Sequence, residues 1–327
     1  MTRTLVAGAG GFIGGHMVRA LRGRGVAIRA VDRKPLHNWH QRFDDVENVV
    51  ADVSLLENAH RACAEVHEVY QFAADMGGMG FIELNKAACM LSVLTSTHML
   101  VAANAAGAKR FFYASSACVY NADKQRSTEV VPLKEEDAYP ALPEDGYGWE
   151  KLFSERMCRH FREDFGLQTR VARYHNVYGP SGTWEGGREK APAAICRKVI
   201  EAKYRRSPTI EIWGDGSQTR SFMYIDDCIK GTQDILRSDI LDPINLGSSE
   251  LVTINQLVDL AEDIANVKLE RRYKLDAPKG VNGRNSDNTL IRQRLGWEPS
   301  IQLRDGMSRT YAWIEQEWLA KYKGTSV

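Results

Sequence analysis

A glycine-rich turn near the start of the chain constrains the fold more than any other feature. Leu5-Val6-Ala7 predicts a short buried strand, and Gly8-Ala9-Gly10-Gly11-Phe12-Ile13-Gly14 follows it directly. A run of apolar residues with helical periodicity comes next, and a second strand over residues 26–31 ends at Asp32. The order of strand, glycine turn, helix, strand and acid predicts one half of a doubly wound parallel sheet.

The same turn predicts a dinucleotide site. Glycines let the backbone approach a pyrophosphate closely, and the helix N-terminus supplies amide donors and a favourable dipole. Asp32 can accept hydrogen bonds from both hydroxyls of an adenosine ribose, which favours NAD over NADP, although Arg33 follows immediately. We therefore expect NAD as the cofactor. The residues expected to hold it are Gly8, Gly11, Phe12, Ile13, Gly14, Asp32, Asp52, Ala73, Tyr147 and Lys151.

A second feature is the stretch Tyr147-Gly148-Trp149-Glu150-Lys151, downstream of Ser115-Ser116-Ala117-Cys118. The spacing places Tyr147 and Lys151 on one face of a helix. An ammonium group beside a phenol lowers the pKa of that phenol. Tyr147 could then exchange a proton with a sugar hydroxyl while hydride moves to a nicotinamide, with Ser115 or Ser116 hydrogen-bonded to the same oxygen. Many solvent-exposed helices carry a tyrosine and a lysine at this spacing. The pair therefore indicates a catalytic site only in combination with the glycine turn upstream.

Strands alternate with helices as far as about residue 180, which predicts an α/β fold with a Rossmann-type, doubly wound parallel sheet. Residues 84–106 and 146–164 are predicted to form long helices. Asn245-Leu246-Gly247 is expected to return to the main sheet. The predicted domains are therefore an NAD-binding domain of residues 1–175 with 222–250, and a smaller, interleaved C-terminal substrate domain of residues 176–221 and 251–327.

The composition argues against several classes of function. The chain has 43 basic and 42 acidic residues, and this balance disfavours a protein that binds nucleic acid or a membrane surface. No run of about eighteen apolar residues stands out, so we expect neither a membrane span nor a signal peptide. The six cysteines are scattered without a C-x-x-C pair. This favours free thiols in the cytoplasm and no metal cluster.

Together these residues resemble the extended short-chain dehydrogenase/reductase superfamily, in particular its nucleotide-sugar epimerases and dehydratases. The resemblance covers essentially the whole chain. Four longer strings, at 73–80, 111–118, 186–193 and 283–288, are similar to the family of GDP-mannose 3,5-epimerases. The single residues that carry the wider resemblance, besides the glycine turn, are Asp32, Ser116, Tyr147, Lys151, Asn176 and Arg220.

The resemblance implies a mechanism that agrees with sugar chemistry. Hydrogens on C3 and C5 of a hexose become acidic only when C4 is oxidised to a ketone. Such an enzyme oxidises C4, inverts its neighbours through an enolate, and reduces C4 again with the same NADH. Tyr147, Lys151 and Ser116 would serve C4, and the family's cysteine and lysine match Cys118 and Lys190. Which of these two is the base at each carbon stays open.

The resemblance also implies GDP-mannose as the substrate, with GDP-L-galactose as the product and GDP-L-gulose from inversion at C5 alone. Guanidinium groups suit phosphate oxygens, so Arg220 and Arg284 are candidates for the diphosphate. Helices 84–106 and 146–164 would pair with a second copy in a homodimer. The full set of expected substrate contacts is Gly78, Met79, Ser116, Asn176, Glu189, Lys190, Lys198, Arg220 and Arg284.

Alternative functions stay open at this point. The chain could be an epimerase of another nucleotide-linked hexose, a 4-epimerase or a 4,6-dehydratase. A dehydratase would want carboxylates near Cys118, and Ala117-Cys118-Val119 offers none. A 4-epimerase would leave Cys118 and Lys190 without a role. A dinucleotide sensor without turnover is disfavoured by the intact Ser116, Tyr147 and Lys151.

Overall fold

The computed structural model describes residues 2–278 and 280–322. Its strands are β1 (Arg3–Ala7), β2 (Ala27–Asp32), β3 (Glu47–Val50), β4 (Glu68–Gln71), β5 (Arg110–Ser116), β6 (Gln168–Tyr174), β7 (Val177–Tyr178), β8 (Thr209–Trp213), β9 (Thr219–Ser221), β10 (Met223–Tyr224), β11 (Ile244–Leu246), β12 (Leu251–Thr253), β13 (Glu270–Lys274) and β14 (Gly283–Arg284). Its helices are α1 (Phe12–Arg22), α2 (Leu56–Cys63), α3 (Met79–Leu84), α4 (Lys86–Met90), α5 (Ser92–Ala105), α6 (Tyr147–Phe165), α7 (Ala191–Arg205), α8 (Ile225–Arg237), α9 (Ile254–Ala265), α10 (Thr289–Leu295) and α11 (Leu303–Tyr322).

Seven parallel strands form the central sheet, in the order β11-β6-β5-β4-β1-β2-β3. The chain starts in the middle with β1, continues through β2 to β3 at one edge, and then returns to place β4 on the other side of β1. This reversal leaves a crevice at the carboxyl ends of β1 and β4. The prediction of a doubly wound parallel sheet is confirmed, and β11 brings residues 244–246 back to it.

The sheet is buried on both faces, as a parallel sheet covered by helices must be. Along β5, Phe111 and Tyr113 point into a cluster with α2, α5 and α6, whereas Phe112 points into the opposite cluster with α1 and α8. The second cluster continues into α7, α9 and α11. One core therefore joins the sheet to the C-terminal elements, and the predicted domain boundaries stay a prediction.

The long helix predicted over residues 84–106 is wrong in detail. Asn85 separates α3 from α4, and Leu91 separates α4 from α5. The Asn85 side chain donates a hydrogen bond to the carbonyl oxygen of Phe81 at 2.9 Å. Such local bonding of a side chain to the backbone competes with helical hydrogen bonds and explains the first break.

The segment Lys86–Ala105 has a mean hydropathy of 1.3 and is long and apolar enough, on length and composition, to cross a membrane. Polar residues such as Lys86, His98 and Asn104 interrupt this segment, so it is not an unbroken apolar run, and the expectation of no membrane span stays a prediction. The core helix of a soluble protein meets the same criterion. In this fold α5 packs against α2 and α6, and its Met99 and Leu100 are completely buried.

Buried histidines make the fold sensitive to acid. His16 on α1 is 2% exposed, and its Nε2 lies 2.9 Å from the carbonyl oxygen of Pro180. Burial lowers the pKa of His16 from 6.5 to about 4. Between these pH values the unfolded chain binds a proton that the folded chain excludes, so stability falls as the pH falls through this window.

We predict that His16→Gln flattens this dependence. Glutamine can keep a hydrogen bond to Pro180 but does not titrate, so the free energy of unfolding should fall less steeply between pH 6.5 and 4, by up to about 1.4 kcal/mol per pH unit. Urea unfolding across this range measures the slope. His37→Gln, at an exposed histidine, is the matched control for removing an imidazole. Identical slopes for the wild type and His16→Gln would contradict the account.

Candidate active site

A cleft of about 700 Å³ follows the carboxyl ends of β1, β2, β4 and β5. Ser116 and Lys190 line it. So does every residue that the sequence predicts to hold the cofactor: Gly8, Gly11, Phe12, Ile13, Gly14, Asp32, Asp52, Ala73, Tyr147 and Lys151. The glycine turn and the tyrosine helix, which are remote in sequence, therefore face one cavity.

The glycine turn is packed so closely that side chains would not fit. Gly8 has a φ of +83°, and a Cβ atom there would lie 2.8 Å from the backbone nitrogen of Ala73. A Cβ atom at Gly14 would lie 2.1 Å from the carbonyl oxygen of Gly8. The turn thereby brings the start of α1 against the end of β4.

The groups at this turn fit a dinucleotide. Helix α1 begins at Phe12 without a side-chain cap or an acidic residue in its first turn, so its first amides can serve an anion. The Asp32 carboxylate accepts one backbone hydrogen bond on each oxygen, from Gly10 at 3.0 Å and from Lys34 at 2.9 Å. Each oxygen keeps acceptor capacity for a ribose hydroxyl.

An ion-paired bridge in the cleft wall was missed by sequence reasoning. The Asp75 carboxylate binds the Arg33 guanidinium at 3.0 Å and that of Arg188 at 2.8 Å. Burial acts to raise the pKa of Asp75, but the hydrogen bonds from Arg188 and Arg33 hold it below its ordinary value. Arg33, whose position left the choice between NAD and NADP open, is engaged by a carboxylate. Asp75 lies within the distinctive string 73–80, which was the available signal.

Tyr147 and Lys151 stand at the start of α6, as their spacing predicts. The Lys151 side chain is buried, and its Nζ lies 5.5 Å from the centre of the Tyr147 ring. Burial raises the pKa of Tyr147 well above its ordinary value, and the charges of Cys118 and Glu150 act in the same direction, whereas hydrogen bonding with Ser116 opposes them. The lowered pKa predicted from the lysine spacing is wrong for this structure, because the largest effect on Tyr147 is its burial, which raises the pKa.

Cys118 lies just beyond β5 in the short helical turn Ala117–Val119. The Ser116 side chain accepts a hydrogen bond from the Cys118 amide at 3.2 Å, which fixes the turn. Cys118 is 6% exposed, and its sulfur accepts a hydrogen bond from Arg284 Nη1 at 3.7 Å. On the paired strands β9 and β14, Arg220 lies opposite Arg284. Burial lowers the pKa of Arg220 to about 10, and Cys118 partly offsets that effect.

Lys190 occupies the N-cap position of α7, without a side-chain hydrogen bond to the helix, and is the fourth member of this group. Burial lowers its pKa, while the nearby Cys118 and Cys228 act to raise it. The structure therefore brings together four predicted site residues from distant parts of the chain: Cys118, Lys190, Arg220 and Arg284. A thiol and a lysine with a lowered pKa can act as an acid and a base toward one substrate.

Several residues that are predicted to contact the substrate bind other groups of the protein in this structure. The Glu189 carboxylate binds Arg197 at 3.2 Å, and Lys198 donates to the carbonyl oxygen of Glu211 at 2.9 Å. The Asn176 side chain donates to the carbonyl oxygen of Ser221. None of Glu189, Lys198 and Asn176 is among the described residues that line the cleft, and the same is true of Cys118, Arg220 and Arg284. Their contacts with a substrate stay predictions.

Gly78 and Met79 lie beside the segment that leads to Lys190, and neither is among the described residues that line the cleft. The Gly78 amide donates to the carbonyl oxygen of Arg188 at 3.0 Å, and a Cβ atom there would lie 2.4 Å from the Glu189 carbonyl oxygen. Met79 contacts Gly280. Their loop thus holds the segment that leads to Lys190.

The sequence model described as the NAD dependent epimerase/dehydratase family matches residues 4–247. The chain belongs to this family. The prediction of an enzyme of this kind, made from the glycine turn and the tyrosine helix, is thereby confirmed.

Relatives within this family agree with the resemblance found in the sequence. The chain is 46% identical over 325 residues to a GDP-mannose 3,5-epimerase of Arabidopsis thaliana, covering 98% of this chain and 85% of the relative. It is also 46% identical over 316 residues to GDP-mannose 3,5-epimerase 1 of Oryza sativa subsp. indica, covering 96% and 82%. The fold is that of the UDP-glucose 4-epimerase of Thermotoga maritima, with a TM-score of 0.86, 24% identity and coverage of 97% and 99%.

The close packing of the turn predicts that Gly14→Ala loses the cofactor. The new methyl group would push the Gly8 carbonyl away from the start of α1, so we expect the copurified NAD to be lost and stability to fall by about 1–3 kcal/mol. Bound nucleotide after gel filtration and thermal unfolding measure the two effects. Gly23→Ala, where an added Cβ meets nothing within 4 Å, is the matched control. Full NAD content in Gly14→Ala would refute the assignment.

Proposed function

We propose that this family member is an NAD-dependent nucleotide-sugar epimerase that inverts GDP-D-mannose at C3 and C5. The products would be GDP-L-galactose and, from inversion at C5 alone, GDP-L-gulose. One observation carries the proposal: the Cys118 thiol lies among the cationic side chains of Lys190, Arg220 and Arg284. Hydride transfer at C4 needs no such group, whereas inversion beside a ketone needs an acid and a base. The names of the 46% identical relatives support the same substrate.

We assign the proton transfer at the C4 hydroxyl of the sugar to Tyr147, Lys151 and Ser116. NAD, held by the glycine turn and Asp32, would supply the acceptor and later the donor of the C4 hydride. Tyr147 takes the proton of the C4 hydroxyl as a base and returns it as an acid. The nearby Lys151 ammonium favours the deprotonated phenol, and Ser116 adds a hydrogen-bonding hydroxyl. Because burial raises the pKa of Tyr147, this step should slow as the pH falls.

We assign the inversion at C3 and C5 to Cys118 and Lys190. A ketone at C4 lets the electrons of a broken C–H bond spread onto oxygen as an enolate. One of the two residues removes the proton, and the other supplies a proton to the opposite face. Burial lowers the pKa of Lys190, so its ammonium releases a proton more readily than that of an exposed lysine. Arg284, at 3.7 Å from the sulfur, favours negative charge on the thiol or on a sugar oxygen beside it.

We further propose that the enzyme is a cytoplasmic homodimer. All six cysteines are free, which suits a reducing compartment. Met90 on α4 and Trp149 and Phe153 on α6 are exposed apolar side chains on neighbouring helices, and none of the three lines the cleft. A four-helix bundle with a second copy would cover them. Sedimentation at micromolar concentration would reveal a monomer if this is wrong.

The substrate proposal is tested by offering the NAD-loaded enzyme two nucleotide sugars separately. We expect GDP-mannose to be converted into two new GDP-hexoses and UDP-glucose to be recovered unchanged. NMR of the purified nucleotide sugars identifies each inverted carbon. Conversion of UDP-glucose at C4, with GDP-mannose untouched, would replace this proposal with the 4-epimerase alternative.

Removal of the thiol should separate oxidation from inversion. Cys118→Ala should keep NAD and still oxidise C4, but inversion at C3 and C5 should fall at least about 100-fold because the acid–base pair is broken. NADH absorbance reports the oxidation, and NMR reports the inversion. Cys63→Ala is the matched control, since that thiol is buried on α2 where burial raises its pKa to about 12. Unchanged inversion in Cys118→Ala would eliminate the proposed pair.

A further inference from the structure

A buried carboxylate, that of Glu150, lies within helix α6. Glu150 lies between Tyr147 and Lys151 on α6 and is 2% exposed. Its Oε1 accepts hydrogen bonds from the hydroxyls of Ser96 at 3.2 Å, Tyr113 at 3.0 Å and Ser154 at 3.1 Å. These donors come from α5, β5 and α6, so the carboxylate is held from three sides.

The other oxygen of this carboxylate is turned toward Lys151. Glu150 Oε2 has no hydrogen-bond partner among residues 2–278 and 280–322, and the Lys151 Nζ lies 3.5 Å from it. The same ammonium lies 4.8 Å from the centre of the Tyr113 ring. Burying a carboxylate oxygen that has no hydrogen bond and only an ammonium nearby costs stability, so a buried group of this kind calls for a functional reason.

The charge of Glu150 also reaches the phenol. Among the groups that face Tyr147, Cys118 after β5, Glu150 on α6 and Cys89 on α4 all act to raise its pKa, whereas the Ser116 hydroxyl acts to lower it. Lys151, on the same helix, is a positively charged neighbour of Tyr147, and its Nζ lies 5.5 Å from the centre of the Tyr147 ring. Glu150 and Lys151 therefore act on the phenol in opposite directions.

We propose that Glu150 is a positioning residue for proton transfer at C4: its carboxylate holds the Lys151 ammonium beside the Tyr147 phenol and places a negative charge against that ammonium. This inference rests on the proposed C4 oxidation. A phenol that is too acidic would be a weak base toward the C4 hydroxyl. Without its counter-charge, the Lys151 ammonium would be free to turn away from the site.

Titration of Tyr147 tests this role without any substrate. In the NAD-loaded enzyme carrying ¹³C-labelled tyrosine, NMR follows each phenol, and Tyr147→Phe assigns the signal. Glu150→Gln keeps acceptor atoms for the three hydroxyls but removes the charge. We expect the titration midpoint of Tyr147 to fall by about one pH unit. The acid limb of NADH formation should move in the same direction, and kcat should fall more than the KM for the nucleotide sugar changes.

Tyr113→Phe is the matched control. It removes one hydrogen bond to the same carboxylate but keeps the charge and the ring that faces Lys151. Under the proposal it lowers stability without moving the Tyr147 midpoint. A purely structural role for Glu150 predicts that both variants lose stability and that neither moves the midpoint, and this result would overturn the proposal.

A further variant covers the case in which Glu150→Gln does not fold. Glu150→Asp keeps the charge but is one methylene shorter, so it cannot reach Lys151 and the three hydroxyls together. We expect a lower kcat with the Tyr147 midpoint near that of the wild type, and an unchanged kcat would contradict the proposal. A wild-type enzyme that leaves GDP-mannose unchanged would count against the proposed function alone, because the titration needs no substrate.

Discussion

The position of β5 inside the parallel sheet, paired on both sides, is the constraint on which the site depends. β5 pairs along its length with β6 and along its first four residues with β4, and its Phe111 and Phe112 are fully buried on opposite faces. Burial of each ring contributes roughly 2–3 kcal/mol, so the strand cannot slip by one residue without exchanging its two faces. This register fixes Ser116 at the end of the strand, and the Ser116 hydroxyl then fixes the turn that carries Cys118.

Other elements of the fold place charged side chains beside Ser116 and Cys118. Helix α6 supplies Tyr147 and Lys151, the paired strands β9 and β14 supply Arg220 and Arg284, and the N-terminus of α7 supplies Lys190. Charged groups are costly to bury unless they face partners, and here Arg284 pairs with the Glu144 carboxylate beside the Cys118 thiol while Glu150 faces Lys151. The result is two adjacent sites with different tasks, one for a proton on oxygen and one for protons on carbon.

The parts of the site that depend on local backbone geometry could be predicted from the sequence. Gly8, Gly14 and Asp32 obey local rules of turn geometry, and the spacing of Tyr147 and Lys151 specifies a helix face. Cys118 and Lys190 were found through a family resemblance, because nothing local connects them. The contact of Arg284 with Cys118 depends on the pairing of β14 with β9, and the bridge from Arg33 through Asp75 to Arg188 depends on three remote segments. The raised pKa of Tyr147 follows from burial, which its neighbours in sequence do not reveal.

Incorporation of solvent deuterium into GDP-mannose tests the central claim most directly. In deuterated water, with the sugar nucleotides examined by NMR, the account predicts deuterium at C5 and C3 of the inverted products. It also predicts that C4 keeps its original hydrogen, because the hydride returns from the same cofactor to the carbon that it left. Inverted products without deuterium at C3 and C5 would contradict inversion through an enolate and, with it, the roles assigned to Cys118 and Lys190.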